Sequence, residues 1–197
     1  YFVGEEWKSM WGGEKWNDPI CFDSKTMEVI AESHDDLLGY GWENVYTAEE
    51  IKKGVVKINY NKNQKLKDGD YMVLRHSVRD HCGIFIDKSS NVYLNNIKMY
   101  SNTGLSYLAQ FSENIYLNNA HCIPSPDRNI ISGHDDGLHF SNCKGEIVID
   151  GCILKGLMDD AVNVHSSYVF IEKIINDTTI VCKFPHFQSA GFTWAYD

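Results

Sequence analysis

Short segments of this chain repeat at a spacing that leaves no room for helices between them. Asn91-Val92-Tyr93-Leu94-Asn95-Asn96 recurs 23 residues later as Asn114-Ile115-Tyr116-Leu117-Asn118-Asn119. A third copy, Glu146-Ile147-Val148-Ile149-Asp150-Gly151, follows after a further 32. A second series runs alongside: Asp136-Gly137-Leu138-His139-Phe140 aligns with Asp160-Ala161-Val162-Asn163-Val164 at an offset of 24. The units hold runs of alternating apolar and polar residues bounded by Asn, Gly, Asp and Ser, which read as strands at 83–87, 91–95, 114–118, 138–140, 146–150, 162–164 and 169–171. Parallel strands joined without helices wind into a solenoid in which each coil rests on the last. The expected fold is all-β, a right-handed parallel β-helix, its hand following the right-handed preference of parallel crossovers. A leucine-rich repeat would need a regular Leu/Asn consensus that this chain lacks.

Stacking of this kind brings equivalent residues to ~4.8 Å. Asn96 and Asn119 should then form a polar ladder at a turn. The 32-residue offset holds about eight residues more than a ~24-residue coil, and these fall in 120–135, with Pro124, Pro126 and Gly133. Solenoid insertions map to one face, often the binding face, and this one ends directly at Asp136. Residues 1–70 are less regular and hold Trp7, Trp11, Trp16 and Trp42. Thr47 followed by Glu50 is a capping box for a short helix over 47–53. Residues 57–60 and 71–75 read as strands with a polar turn at Asp68-Gly69. No Pro/Ser-rich linker intervenes, so 1–70 is expected to be the irregular N-terminal part of the same β-helix and 71–197 its regular coils, in a single domain. The chain opens at Tyr1 without Met or an apolar leader and stops at Asp197 without an obvious cap, and it reads as a fragment of a longer chain.

Composition narrows the function classes. Eighteen Lys and Arg against 27 Asp and Glu, among 197 residues, give a net charge of −9. That balance argues against nucleic acid as the main partner, since phosphate binding needs clustered cations. No run approaches ~18 consecutive apolar residues, so no membrane-spanning helix is expected. The six cysteines include no CxxC pair, which speaks against a zinc ribbon or redox motif; most are expected to be small core residues. No Ser-His-Asp order, P-loop or dinucleotide fingerprint occurs.

The chemical signal is a set of acids one coil apart. The alignment puts Asp136 and Asp160 on neighbouring coils, with Asp159 beside Asp160. In a regular strand Asp159 and Asp160 would point to opposite sides; both can face solvent only if the chain bends, and Gly156-Leu157-Met158 suits a turn. Like charges held that close favour keeping a proton. A carboxylic acid so poised can protonate a leaving oxygen while its ionised neighbours activate water, the division of labour in inverting glycoside hydrolysis. A calcium site, with Asn163 and backbone carbonyls completing six to eight oxygens, or a solvated acidic turn, would use the same residues.

Gly133-His134-Asp135-Asp136-Gly137-Leu138-His139-Phe140, followed by Met158-Asp159-Asp160-Ala161-Val162-Asn163-Val164-His165, resembles the active-site motifs of glycoside hydrolase family 110. Val73-Leu74-Arg75, Arg79 and Cys82-Gly83-Ile84-Phe85-Ile86 share the likeness, as does 184–192 with His186, Gln188 and Gly191. It covers most of 70–197. The resemblance implies an exo-acting α-1,3-galactosidase on a parallel β-helix, acting with inversion on blood-group-B-type α-galactosyl ends. It implies Asp159 as general acid, with Asp136 and Asp160 holding and activating the attacking water. The layout of one Asp followed a coil later by Asp-Asp also resembles family 28 polygalacturonases, but their Asn-Thr-Asp and Gly-His-Gly motifs are not matched.

Around these acids, His139, Asn163 and His165 are candidates to hydrogen-bond sugar hydroxyls or tune the acids; the alternative is structural polar groups in the turn. Arg75 and Arg79 are candidates to bind hydroxyls or anchor an acid, or to form surface salt bridges. Trp42, Tyr107 and Trp194 are candidate stacking platforms for the apolar face of galactose. Only Arg128, Lys144 and Lys155 lie near the acids in sequence, which favours a neutral sugar over a uronic-acid polymer. The expected partner is an oligosaccharide or other glycan, with no cofactor and no metal. A non-catalytic β-helical carbohydrate-binding or adhesive module is the competing reading. A secreted, periplasmic or cell-surface location follows from the substrate class; oligomeric state is not specified.

Overall fold

The computed structural model describes residues 2–3, 6–7, 17–30, 46–60, 66–75, 81–127 and 130–185. Every regular element among them is a β-strand. The chain divides into two compact units, Tyr1–Val78 and Arg79–Asp197.

The first unit contains β1 (Phe2–Val3), β2 (Glu6–Trp7), β3 (Asn17–Phe22), β4 (Tyr46–Lys52), β5 (Val55–Tyr60) and β6 (Tyr71–Arg75). Its described pairs are all antiparallel: β1 with β2, β3 with β6, and β4 with β5. The helix expected over 47–53 is instead strand β4. Lys52 pairs with Val55, so Lys53-Gly54 is a two-residue hairpin loop, with Gly54 at φ 76°. Such loops favour glycine because their second residue takes a left-handed conformation. Glu50, the supposed capping residue, accepts the Gly54 N–H at 2.8 Å. The strands expected at 57–60 and 71–75 are present as β5 and β6, with the Asp68-Gly69 turn between them. Residues 71–75, grouped by sequence with the regular coils, pair antiparallel with β3, Cys21 opposite Met72. Buried Cys21 centres a small core with Tyr46, Ile58, Tyr60, Met72 and Leu74 packed on it.

The second unit holds β7 (Ile84–Asp87), β8 (Ser90–Asn95), β9 (Lys98–Met99), β10 (Tyr107–Gln110), β11 (Glu113–Asn118), β12 (His121–Cys122), β13 (Leu138–Ser141), β14 (Lys144–Asp150), β15 (Val162–His165), β16 (Phe170–Asn176) and β17 (Thr179–Lys183). Three sheets are parallel: β7-β10-β13-β15, β8-β11-β14 and β9-β12. Their registers follow the sequence repeats. Val92 lies opposite Ile115 and Ile115 opposite Ile147; Leu138 lies opposite Val162, and His139 opposite Asn163. Ile84, Tyr107 and Leu138 form one inward column, and Ile86, Ala109 and Phe140 another. Ile115 and Leu117 are fully buried beneath the second sheet, each contributing about 1.5–3 kcal/mol. Val162 and Val164 continue the inward columns on the edge strand β15 and are 42% and 62% exposed.

The turn ladder is present. Asn119 Nδ2 donates to Asn96 Oδ1 at 3.4 Å, and both residues have positive φ. A second ladder, unnoticed in the sequence, joins Asn114 Nδ2 to Asn91 Oδ1 at 3.2 Å. Asn tolerates the left-handed region better than other residues with a Cβ, so each rung turns the chain and bonds its neighbour. None of the six cysteines, all among the described residues, forms a disulfide; Cys21 and Cys122 are buried and the other four half-buried. The antiparallel hairpin β16-β17 departs from the parallel pattern expected through 71–197. No helix of the described residues is long and apolar enough to cross a membrane.

Candidate active site

Register brings the acids together. Asp136 sits just before β13, and Asp159 and Asp160 just before β15, so the β13-β15 ladder levels Asp136 with Asp160. Backbone bonds tie the approach: the Gly137 N–H donates to the Asp160 carbonyl at 2.9 Å, Leu138 N–H to Ala161 O at 3.0 Å, and Ser106 N–H to Asp136 O at 2.9 Å. Position 137 must be glycine for this contact, because a Cβ there would lie 2.8 Å from the Ala161 oxygen and 2.7 Å from Leu157 Cδ1.

The bend needed at Asp159-Asp160 is also built. Gly156 turns the chain at φ 72°, and Met158 is buried as an anchor. Both following acids emerge to solvent, and the Asp160 N–H donates back to Asp159 Oδ1 at 3.0 Å. One carboxylate oxygen each from Asp136, Asp159 and Asp160 lies within 4.8 Å of the others. Asp136 is 1% exposed. The cluster therefore pairs one water-shielded carboxylate with two solvent-facing ones. Three carboxylates can share a proton, accept one from water and give one to a leaving group. As cation ligands they would supply part of the six to eight oxygens calcium takes, the rest coming from backbone carbonyls, Asn163 or water.

The shielded carboxylate has a partner. His139 Nδ1 lies 2.6 Å from Asp136 Oδ2, and with the acid ionised the ring nitrogen donates. His139 Nε2 lies 2.9 Å from Nε2 of exposed His165, the two rings meeting edge to face at 87°. Next to the cluster, His134 Nδ1 lies 3.2 Å from Oδ2 of buried Asp135.

The insertion before Asp136 is fastened to the acid-bearing turn. Gly133 pairs in parallel with Leu157, Ser132 Oγ donates to the Lys155 carbonyl at 2.6 Å, and the Ser132 N–H donates to Gly156 O at 2.8 Å. Asn102 Nδ2 donates to Ser106 Oγ at 2.7 Å and Ser132 O at 3.2 Å, tying in the segment that precedes β10.

Of the other expected site residues, Asn163 lies on β15 opposite His139. Arg75 lies on β6 in the first unit, opposite Asn17. Arg79, Trp42, Trp194, Arg128, His186, Gln188 and Gly191 fall outside the described residues. Tyr107 is no stacking platform: it is 2% exposed in the core, burial pushes its phenol up, and its hydroxyl donates to the His121 carbonyl at 3.5 Å. Lys144 is turned to Glu113, 3.7 Å away. The sequence left His139 between a sugar ligand and a group that tunes the acids, and the bond to Asp136 is a contact of the second kind; the meeting of His139 with His165 was not foreseen.

These features define an all-β chain with a three-carboxylate cluster on neighbouring parallel strands. The family model described as GLAA-B beta-barrel domain I matches residues 1–72, the part built from antiparallel pairs. The chain is similar to alpha-1,3-galactosidase B of Bacteroides thetaiotaomicron, 40% identical over 199 residues, covering 98% of this chain and 31% of the relative. It is similar to alpha-1,3-galactosidase A of Bacteroides fragilis, 34% identical over 190 residues, with 96% and 30% covered. Alpha-1,3-galactosidase B of Akkermansia muciniphila is 28% identical over 193 residues, with 97% and 23% covered. The chain thus spans about a third or less of the length of these relatives.

Proposed function

We propose that this chain carries the active site of an exo-acting, inverting glycoside hydrolase that removes terminal α-1,3-linked galactose from glycans, including blood-group-B-type ends, on a right-handed parallel β-helix. The observation that carries the proposal is the convergence of Asp136, Asp159 and Asp160 within 4.8 Å at the starts of the adjacent strands β13 and β15. The three stacked parallel sheets support the solenoid, and relatives named alpha-1,3-galactosidase that align over nearly the whole chain support the activity. In this reading exposed Asp159 gives its proton to the glycosidic oxygen as the C1–O bond breaks. A water held by Asp136 and Asp160 loses a proton to them and attacks C1 from the opposite face. Galactose leaves as the β-anomer. Such glycan ends lie outside cells, so a secreted, periplasmic or cell-surface location belongs to the same proposal.

The test is hydrolysis of a panel of α-galactosides by the protein containing this chain, with NMR of the sugar first released. The nearest-oxygen spacing is tighter than the ~6.5–9.5 Å usual between inverting carboxylates, which makes the anomer the decisive reading. β-Galactose appearing first supports inversion and α-galactose refutes it. Release from no substrate would favour the binding-module alternative. Asp159→Asn should lower kcat by at least ~100-fold while the far-UV circular dichroism stays unchanged.

A further inference from the structure

His139 offers nothing to a sugar. Its side chain is only 10% exposed, and both ring nitrogens face protein partners, Nδ1 to Asp136 Oδ2 and Nε2 to His165 Nε2. Two nitrogens 2.9 Å apart can hold one proton between them, not two. If His139 is neutral, His165 Nε2–H donates to it and His139 keeps its hydrogen on Nδ1. If His139 is protonated, it donates to His165 and still carries a hydrogen on Nδ1. The remaining form, neutral with its hydrogen on Nε2, would set a bare Nδ1 against the carboxylate at 2.6 Å, lone pair against lone pair when Asp136 is ionised; in the other two forms Asp136 meets an N–H donor. The same logic orients other functional imidazoles and carboxylates: the partner on one ring nitrogen sets what the other presents.

We propose that His139 is a positioning residue rather than a sugar ligand, that it fixes the carboxylate plane of Asp136 and keeps it ionised, and that His165 sets the His139 tautomer. This rests on the hydrolase reading above. The placement fits the task. Asp136 is the one shielded member of the cluster, and a buried carboxylate without a donor is costly. The 2.6 Å separation is that of a short, charge-assisted bond. His139 and His165 are not register partners, since His165 lies opposite Ser141; they meet diagonally across β13 and β15, so the device needs both strands.

Substitution separates the roles. The amide nitrogen of Asn can stand in for Nδ1 and that of Gln for Nε2. His139→Asn should keep kcat within about tenfold, while His139→Gln should lose about 100-fold, with KM unchanged in both. His165→Ala should lower kcat about tenfold, on the scale on which partners that orient a functional group act, and His165→Gln should restore it. A rise in KM at constant kcat for the His139 variants would make His139 a sugar ligand and overturn the proposal. Nitrogen-15 NMR of the imidazoles needs no turnover. It should show His139 hydrogenated on Nδ1 in the unaltered protein and partly on Nε2 in His165→Ala. Observing the Nε2–H form in the unaltered protein would overturn the proposal whatever the enzyme does. Absence of hydrolysis alongside the expected tautomer would instead sink only the hydrolase reading.

Discussion

Asp136 is largely withdrawn from bulk solvent, and the neighbouring imidazole offsets what that costs its carboxylate. None of this was legible one residue at a time. The i+3 spacing of Asp136 and His139 is visible in the sequence, but His165 lies 26 positions from His139, which matches no repeat offset because the contact is diagonal. Burial acts on another residue in the same unit. Cys122 is fully buried, and desolvation moves its thiol from the ordinary 9.0 up to about 11, partly opposed by a hydrogen bond with Ser106. A thiol with a raised folded pKa stabilises the fold fully below the unfolded value and loses that contribution between pH 9 and about 11. Urea midpoints measured across that window should fall, and the part due to Cys122, roughly 2–3 kcal/mol, should be missing from Cys122→Ala. Equal pH slopes for the two proteins would refute it.

At the scale of elements, the repeats predicted the ladders because in-register parallel pairing asks for the same residue at the same place on each strand. The Asn96–Asn119 rung and the β13-β15 register were both readable for that reason. Strand β4 was not, since Thr47 and Glu50 mimic a helix cap and the chain's true signal was Gly54 followed by the alternating run of β5. Tyr107 was misread because an aromatic at a coil edge and one in a coil core look alike without burial. The turn at Gly156 carries a prediction of its own. Its φ of 72° suits glycine, and a Cβ would lie 2.7 Å from Pro124 Cγ and 3.2 Å from the Ser132 nitrogen. Gly156→Val should cost about 1–3 kcal/mol, read as a fall of several degrees in Tm. An unchanged Tm would mean that the turn tolerates a side chain and does not set the acids.

For the molecule as a whole, the sequence spoke most clearly where paired parallel strands carry repeated segments and least clearly in the antiparallel N-terminal unit, where pairing partners such as Cys21 and Met72 are far apart and share no pattern. Acid–base hydrolysis by three carboxylates needs no ion. Exhaustive treatment with EDTA should therefore leave both Tm and galactoside hydrolysis unchanged, and a loss restored by added calcium would assign the cluster to a cation.

The level footing of Asp136 and Asp160 on adjoining strands has a consequence for how such a protein can vary. Between each acid and the strand it precedes the ladder fixes the count, so a residue added or removed at 137 or at 161 would slide one carboxylate past the other and flip which side chains face inward. The segment before Asp136 is under no such count: chain added ahead of the Ser132 anchor need shift neither acid. Length variation is thus most readily accommodated on the near side of the first carboxylate, and least readily between either acid and the strand it precedes.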